Sequence, residues 1–387
     1  MKPRKVNENH LNQPPANLKV LIFYASIGSG HLSAAQSILE ALVLSGAGGP
    51  VALADALPPR ANRAGLTSFL SAVSSGLLPG VYTRAWESGS MAVLFDLSAR
   101  LPWIRQRVLR RVRDEAPDVV VCTHALPCAI LAQQPARAYR LLAVATDFQA
   151  HAYWPVQGVD GIVVASPAAC ERLQLRGMPP QRVQVLGIPV RPQFARLPAG
   201  ITVTGKAGAG PLRVLIIAGG GRAGPYLPVL PKIDRLISAL SARPVEGVEW
   251  CFIFGSSHWL HRRAEQRLSG RADISLLGLT DDMAAKMNWA DVVVTKAGGL
   301  TLAEAFALGK PVLILRRGAG QEAANTDIVL QSGAGMVVDS AEHLLRTVAM
   351  FALDREMLAD LARGASALGR PDAANSIAAW VEAAGTL

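Results

Sequence analysis

The chain of 387 residues is poor in aromatic side chains, charged side chains and cysteine. Aromatic residues make up 5% of it and charged residues 18%, and no RRM, zinc-finger or helix-turn-helix pattern is present, which argues against nucleic-acid binding. The four cysteines form no C-x-x-C pair and show no metal-ligand spacing: Cys122, Cys128, Cys170 and Cys251. They predict buried thiols in a reducing compartment.

The first 17 residues contain no long apolar run. Residues 1–17 are polar, so they predict a disordered N-terminus and no secretory signal. Acidic residues are the scarcer charge, 29 against 39 basic ones, giving a net charge of +10. This excess favours acidic partners such as nucleotides, nucleic acid or anionic lipid. Half of the residues are hydrophobic, enough to bury a large core, and the length suggests two or three domains, with two favoured.

Short apolar runs alternate with helical patterns along most of the chain. After a stretch rich in glycine, alanine and proline at 196–211, the pattern of strand, glycine loop and helix begins again at 212. This predicts two doubly wound α/β domains with the ligand in the cleft between them, at the carboxyl ends of the strands. The predicted strands cover residues 18–25, 51–53, 119–123, 141–146, 161–165, 183–186, 212–218, 250–254, 274–277, 290–294, 311–315 and 335–338.

The most informative stretch begins at Thr295 and reads TKAGGLTLAEA. Gly298 and Gly299 stand between a predicted strand and a predicted helix, where free backbone N–H groups and the helix dipole favour a phosphate. Glu304 lies five residues further, roughly 7 Å along the helix axis. That is about the separation between a diphosphate and the hydroxyls of its own ribose. A carboxylate can accept hydrogen bonds from such paired hydroxyls. The alternative is a capping box of Thr301 and Glu304 that needs no ligand.

Two further glycine loops follow predicted strands. Gly219 and Gly220 follow the first predicted strand of the second domain and are expected to bind the donor. Gly30 precedes His31, which falls in the first turn of a helix whose dipole should keep the imidazole neutral, as a general base requires. The alternative is a histidine that caps or packs locally. A dinucleotide site using Asp55 is a weak match, because the third glycine is missing and Asp55 comes late.

A membrane-facing segment is predicted between the second and third strands. No charge occurs between Arg63 and Arg84, although serine, threonine and proline there favour a surface-seeking or cleft-lining segment over a transmembrane helix. An arginine-dense helix follows, and its composition suits either an interfacial membrane contact or a solvated arginine face. The residues concerned are Trp103, Arg105, Arg107, Arg110 and Arg111.

The motifs together resemble the monogalactosyldiacylglycerol synthase and processive diacylglycerol glucosyltransferase family. That family is related to the GlcNAc transferase that makes peptidoglycan lipid II. The resemblance covers nearly all of the chain after Leu18, except residues 60–115, which match poorly. The motifs that carry it are GSGH (28–31), PDVVVCTHALP (117–127), TDFxxHxxW (146–154), GIPVRPQF (187–194), TKAGGLTLAEA (295–305) and GQEAAN (320–325).

The resemblance implies a GT-B fold and inverting transfer of a hexose from a UDP-sugar to a lipid hydroxyl, by default that of diacylglycerol. It implies that His31 is the base, and we add the hypothesis that Asp147 orients it. On the donor side it implies that Gly298, Gly299 and Leu300 hold the diphosphate, Glu304 the ribose, residues 279–282 the uracil, and Gln321, Glu322 and Asn325 the sugar. On the acceptor side we expect Gly30, His124, His151 and Trp154.

The expected domains are an acceptor domain at 18–195 with a membrane-facing segment at 64–113, a linker at 196–211, a donor domain at 212–370 and a C-terminal helix at 371–387. The expected location is the cytoplasmic face of a membrane, with peripheral attachment to its anionic surface. No cofactor or divalent metal is expected, because helix-end amides can stabilise a departing diphosphate, and Asp281 and Asp282 suit helix capping better than metal binding.

Other functions remain open from the sequence: transfer of GlcNAc to a polyprenyl-linked acceptor, a UDP-sugar epimerase of the same fold, and a non-enzymatic binding protein.

Overall fold

A computed structural model of the chain describes residues 17–26, 30–46, 49–57, 99–197, 210–219 and 229–386. Several predicted features lie outside these residues. They are the disordered N-terminus up to residue 16, the uncharged segment and its flanks at 58–98, the linker at 198–209, and the loop glycines Gly28 and Gly220.

The N-terminal half is a parallel sheet of six strands in the order β2-β1-β3-β4-β5-β6. Its strands are β1 (Val20–Tyr24), β2 (Val51–Asp55), β3 (Val119–Cys122), β4 (Arg140–Val144), β5 (Gly161–Val164) and β6 (Val183–Val185). Its helices are α1 (Gly30–Ser45), α2 (Pro102–Glu115), α3 (Ala125–Ala132), α4 (Pro167–Leu175) and α5 (Pro192–Arg196), with a 3₁₀ turn at Pro180–Arg182.

The C-terminal half is a second parallel six-stranded sheet in the order β12-β11-β10-β7-β8-β9. Its strands are β7 (Leu212–Ile217), β8 (Val248–Ile253), β9 (Ile274–Leu277), β10 (Val292–Thr295), β11 (Val312–Ile314) and β12 (Gly335–Val337). Its helices are α6 (Leu230–Ala242), α7 (His258–Leu268), α8 (Met283–Trp289), α9 (Gly299–Ala307), α10 (Gln321–Gln331), α11 (Ala341–Leu353), α12 (Arg355–Leu368) and α13 (Ala373–Ala384).

The central strands are apolar along their whole length because helices cover both faces of each sheet. Strands β3 and β10, for example, are buried at every position. Each of the twelve predicted strands is present within two residues of its predicted bounds. The prediction of two parallel, doubly wound sheets is therefore confirmed.

The chain after β12 turns sharply at Asp354. This turn separates α11 from α12. The Asp354 carboxylate caps α12 by accepting from the backbone N–H groups of Glu356 and Met357, at 3.0 and 3.4 Å. Such a cap satisfies donors that a new helix leaves unpaired.

The last helix, α13, returns to the N-terminal half and packs on α1. Ile377 and Val381 share a buried cluster with Leu18 and Val20 of the first strand region. The chain therefore ends on the domain in which it began, and α13 links the two halves.

A third apolar cluster lies where the two halves meet. It contains Phe148, Ile188 and Phe194 from the N-terminal half and Leu302 and Phe306 from α9. The Phe148 and Phe306 rings meet edge to face with centroids 5.8 Å apart. This contact brings the carboxyl ends of β4 and β10 together, so the residues that follow these strands share one cleft.

Candidate functional site

Helix α9 begins, without a side-chain cap, at the glycines where the anion site is predicted. Gly298 is its N-cap residue, and no side chain caps the helix. The first intrahelical bond at this end runs from the Leu302 N–H to the Gly298 carbonyl, at 3.0 Å. Thr301 therefore lies inside the helix, so the alternative of a capping box begun by Thr301 is wrong. Within the described residues, the N–H groups of Gly299, Leu300 and Thr301 have no protein acceptor. Free amides at a helix N-terminus bind phosphate in other proteins.

Gly299 is needed because the two halves approach closely at this helix end. A Cβ on Gly299 would lie 2.3 Å from the Thr146 carbonyl oxygen and 3.0 Å from Oδ1 of Asp147. A Cβ on Gly30 would lie 3.9 Å from Cβ of Leu300. The helix bearing His31 and the helix with the free amides thus begin side by side across the cleft.

Glu304 is a buried carboxylate one and a half turns into α9. Its side chain is 8% exposed, and among the described residues no group donates a hydrogen bond to its carboxylate. Burial raises the pKa of Glu304 to about 7, with Arg191 opposing the shift. A largely buried carboxylate that lacks protein donors can gain them from a ligand. Paired hydroxyl groups would supply them.

Lys296 and Glu322 form an ion pair beside this helix end. Their side chains are 14% and 22% exposed, and Glu322 lies in the first turn of α10 next to Gln321. Glu322, predicted to contact the donor sugar, is therefore held by a lysine that the sequence analysis did not single out. The sequence feature that could have identified Lys296 is its position two residues before Gly298.

Asn325 has a different role from the predicted one. It is completely buried, and Nδ2 donates to Asp147 Oδ1 at 3.2 Å and to the Ala297 carbonyl at 3.0 Å. Its Oδ1 accepts from the Phe148 N–H at 3.1 Å. Since both amide hydrogens are engaged, Asn325 cannot donate to donor-sugar hydroxyls as expected. It is instead a hydrogen-bond bridge between the two halves.

His31 is held by two groups of its own domain. Its Nδ1 lies 2.9 Å from the Thr123 carbonyl and 3.0 Å from the Thr146 hydroxyl oxygen. A carbonyl only accepts, so we assign the hydrogen to Nδ1, which leaves the lone pair of Nε2 available. Burial lowers the pKa of His31 to about 4. The predicted neutral imidazole follows, although burial rather than the helix dipole is the main cause.

Asp147 does not orient His31, so that hypothesis is wrong. In the described part of the chain no hydrogen bond joins them, and the His31 ring is fixed by Thr123 and Thr146. Asp147 instead accepts a hydrogen bond from Asn325 of α10 and lies against Gly299 at the start of α9. Burial raises the pKa of Asp147 to about 6, with Glu322 adding to the shift and the Asn325 hydrogen bond and Lys296 opposing it.

Two more histidines lie near His31. The His124 ring meets the His31 ring edge to face at 4.5 Å, and its Nδ1 accepts from the Leu126 N–H at 3.1 Å, which caps α3. Burial, His31 and His151 hold the pKa of His124 well below 6.5. Burial, His31 and Arg176 lower the pKa of His151 to about 3. All three imidazoles are therefore neutral at pH 7.

The other predicted residues occupy different surroundings. The Trp154 indole is 2% exposed and belongs to the core of the N-terminal half, which gives it a packing role. Gly219 follows β7, and a Cβ there would lie 3.2 Å from the Phe254 carbonyl. Leu279, in the predicted uracil turn, is 79% exposed. Asp55 accepts from the Ser26 hydroxyl at 2.6 Å, so its carboxylate fixes the end of β1.

Asp282 caps α8 as predicted, accepting from the Ala285 N–H at 3.3 Å. Throughout the described residues, no cluster of three His, Cys, Asp or Glu side chains has the spacing to hold a metal ion.

Helix α2 presents the predicted basic face. Ile104, Val108 and Val112 are buried, and Trp103 is 45% exposed. A groove of 440 Å³ runs between this helix and the β2 edge, lined by Leu53, Ala54, Asp55, Trp103, Gln106, Arg107, Arg110, Arg111 and Asp114. Arg105 reaches Gln133 Oε1 at 3.4 Å. Within the described ranges, every helix is too short or too polar to cross a bilayer.

Comparison with known proteins agrees with the resemblance seen in the motifs. A family model described as monogalactosyldiacylglycerol (MGDG) synthase matches residues 31–190, and one described as glycosyltransferase family 28 C-terminal domain matches residues 232–377. The processive diacylglycerol beta-glucosyltransferase of Bacillus subtilis is 26% identical over 354 residues, covering 88% of this chain and 89% of the relative. Monogalactosyldiacylglycerol synthase 3, chloroplastic, of Arabidopsis thaliana is 25% identical over 301 residues, covering 72% of this chain and 61% of the relative.

Solved structures share the architecture. The crystal structure of MurG from Acinetobacter baumannii aligns with a TM-score of 0.58 at 15% identity, covering 95% of this chain and 99% of that one. The predicted GT-B fold is confirmed, and so is the resemblance to the synthase and glucosyltransferase family.

Proposed function

We propose that this chain, which resembles diacylglycerol glycosyltransferases in both of its halves, is an inverting enzyme that transfers a hexose from a UDP-sugar to the hydroxyl of diacylglycerol. The observation that supports this most directly is the meeting of α1 and α9 across the cleft. Among the described residues, Nε2 of the neutral His31 at the start of one helix and the first amides of the other have no protein partner. A base and an anion site side by side suit sugar transfer.

The donor would bind along α9. Its diphosphate would accept from the N–H groups of Gly299 and Leu300, and its ribose hydroxyls would donate to Glu304. Glu304 is buried and has no donor among the described residues, so the ribose would supply the missing hydrogen bonds. Gln321 and Glu322, at the start of α10, are the remaining candidates for contact with the sugar.

The chemistry would be one displacement at the anomeric carbon. The acceptor oxygen forms a bond to that carbon while the carbon–oxygen bond to the diphosphate breaks, and its electron pair leaves with UDP. His31 Nε2 takes the acceptor proton, which a neutral imidazole can do. Attack from the side opposite the leaving group inverts the configuration. The amides of α9 stabilise the departing charge, so we propose that no divalent ion is required.

The acceptor would reach the cleft from a membrane surface. Trp103 and the arginines of α2 form an exposed face with an aromatic anchor and positive charge, which suits the interface of an anionic membrane. We therefore propose peripheral attachment at the cytoplasmic face, where UDP-sugars are made. His124 and His151 would lie on the acceptor side of the cleft, next to His31.

The test is a product analysis with purified protein in chelator. UDP-glucose, UDP-galactose, UDP-glucuronate and UDP-GlcNAc are each supplied with mixed micelles of diacylglycerol and anionic lipid, and lipid and aqueous phases are analysed by mass spectrometry and NMR. We expect a glycolipid from one donor, with inverted anomeric configuration. A changed UDP-sugar without any lipid product would indicate an epimerase instead. Activity restored only by Mn²⁺ or Mg²⁺ would contradict the metal-free mechanism.

A further inference from the structure

We propose that Lys296 is a catalytic residue that leaves Glu322 when the donor binds and pairs with its diphosphate, neutralising the charge that develops as the bond to the sugar breaks. The inference rests on the proposed function. It adds Lys296 to the catalytic residues and a change of its ion-pair partner from Glu322 to the diphosphate.

The position of the ammonium group is the first observation. Lys296 follows β10 directly, and a Cβ built on Gly298 would lie 3.3 Å from Lys296 Nζ. Since Gly298 is the N-cap residue of α9, the ammonium lies at the end where the amides are free. A diphosphate that accepts hydrogen bonds from those amides would come within reach of Lys296.

This position is unfavourable for a cation in the absence of an anion. The helix dipole places positive partial charge at the N-terminus, so a lysine there is repelled rather than attracted. A bound anion reverses the sign of this interaction. The placement of Lys296 thus matches a phosphate group at the start of α9 better than an empty helix end.

Glu322 supplies the counter-charge in the free protein. It forms the ion pair with Lys296 from the first turn of α10. A carboxylate in that position is stabilised by the dipole of α10 as well. Glu322 therefore keeps a favourable environment after Lys296 has left it, which lowers the cost of the exchange.

The neighbouring charges support an exchange rather than a fixed structural pair. Asp147 lies against Gly299 and is influenced by both Glu322 and Lys296. The three groups form one small cluster holding two carboxylates and a single ammonium. A diphosphate entering it needs a full positive charge near by, and Lys296 is the group positioned to provide it.

The negative charge that develops during the reaction lies on the leaving group, where Lys296 would act. The acceptor proton goes to His31, and the electron pair of the broken carbon–oxygen bond goes to an oxygen of the β-phosphate. That oxygen gains negative charge in a cleft partly shielded from water. A fixed cation stabilises such a charge far more strongly there than in bulk water. Lys296 should therefore affect turnover as well as donor affinity.

The experiment compares Lys296→Met with Glu322→Gln, using calorimetric titration with UDP and with uridine, and turnover with the active donor. Lys296→Met should weaken UDP binding by roughly 10- to 100-fold, as loss of a charged hydrogen bond does, while uridine binding stays unchanged because uridine has no phosphate. Turnover should fall on the order of 100- to 1,000-fold. Lys296→Arg should recover part of both.

Glu322→Gln distinguishes the two roles of the pair. If Lys296 serves the diphosphate, this variant releases the ammonium, and UDP affinity should stay the same or rise. If the pair only holds the fold, both variants should weaken UDP and uridine alike and lower the melting temperature together. That result would overturn the inference while leaving the proposed function intact. Failure of the wild-type protein to bind UDP would overturn both.

Discussion

Replacing Glu304 by glutamine should stabilise the ligand-free protein and weaken donor binding at the same time. The pKa of Glu304 is about 7 instead of 4.5, and each pH unit corresponds to about 1.4 kcal/mol. The ionised carboxylate therefore costs the folded state about 3 kcal/mol at pH 8. A neutral amide avoids this cost, whereas it loses a charged acceptor for the ribose hydroxyls, which is worth about 10- to 100-fold in affinity.

The sign of the pH dependence follows from the raised pKa of Glu304. Between pH 4.5 and 7 the unfolded chain releases the Glu304 proton while the folded protein retains it, so wild-type stability falls as the pH rises through this range. The advantage of Glu304→Gln should be full at pH 8 and vanish below about pH 4.5.

Urea unfolding at both pH values and calorimetric titration with UDP would measure these two effects. Glu246→Gln is the matched control, because Glu246 is an exposed carboxylate in the same half. A Glu304→Gln variant that is less stable than wild type at pH 8, or that binds UDP equally well, would refute the reasoning. The first result would mean that protein groups satisfy the carboxylate, and the second that the ribose lies elsewhere.

Three other changes have defined outcomes. His31→Ala should lower turnover on the order of 100- to 10,000-fold with UDP affinity unchanged by calorimetry; equal loss of both would exclude the role of base. Asn325→Ala should destabilise the protein by about 1–3 kcal/mol for each polar partner left unpaired, and an unchanged urea midpoint would show that the bridge between the halves is unimportant. Replacing Arg110 and Arg111 by glutamine should weaken binding to anionic vesicles, measured by flotation, by about 1 kcal/mol per arginine, with Arg243→Gln as control; equal binding would place the membrane contact elsewhere.

The strands and the uncapped start of α9 could be predicted because local sequence determines them. A buried parallel strand such as β3 is apolar at each position, so its pattern needs no knowledge of its neighbours. The start of α9 is likewise defined by adjacent residues, two glycines followed by a helix, with Glu304 at a fixed distance along the axis.

The partners of the site residues could not be predicted, because they come from distant parts of the chain. His31 is held by Thr123 and Thr146, which are 92 and 115 residues away. Asn325 bonds to Asp147 across 178 residues. The motifs indicated that these residues lie in the cleft, but only the packed structure shows that Asn325 faces the other half of the protein instead of the sugar.

The burial of ionisable groups could not be predicted from the sequence either. The helix dipole offered a plausible reason for a neutral His31, whereas removal of water by the surrounding halves is the dominant cause. The same effect raises the pKa of Glu304. Such pKa shifts depend on how much of each side chain is buried when the chain is folded.

The most direct test of the central claim is transfer of radiolabelled hexose from UDP-sugar into the organic phase of a diacylglycerol micelle assay in chelator, comparing wild type with His31→Ala. We predict label in an extractable glycolipid with the wild-type protein and its near-complete loss in the variant, although both bind UDP. Transfer that persists in His31→Ala would contradict the assignment of the base. Absence of label in the lipid phase with every UDP-sugar, despite tight UDP binding, would contradict diacylglycerol as the acceptor.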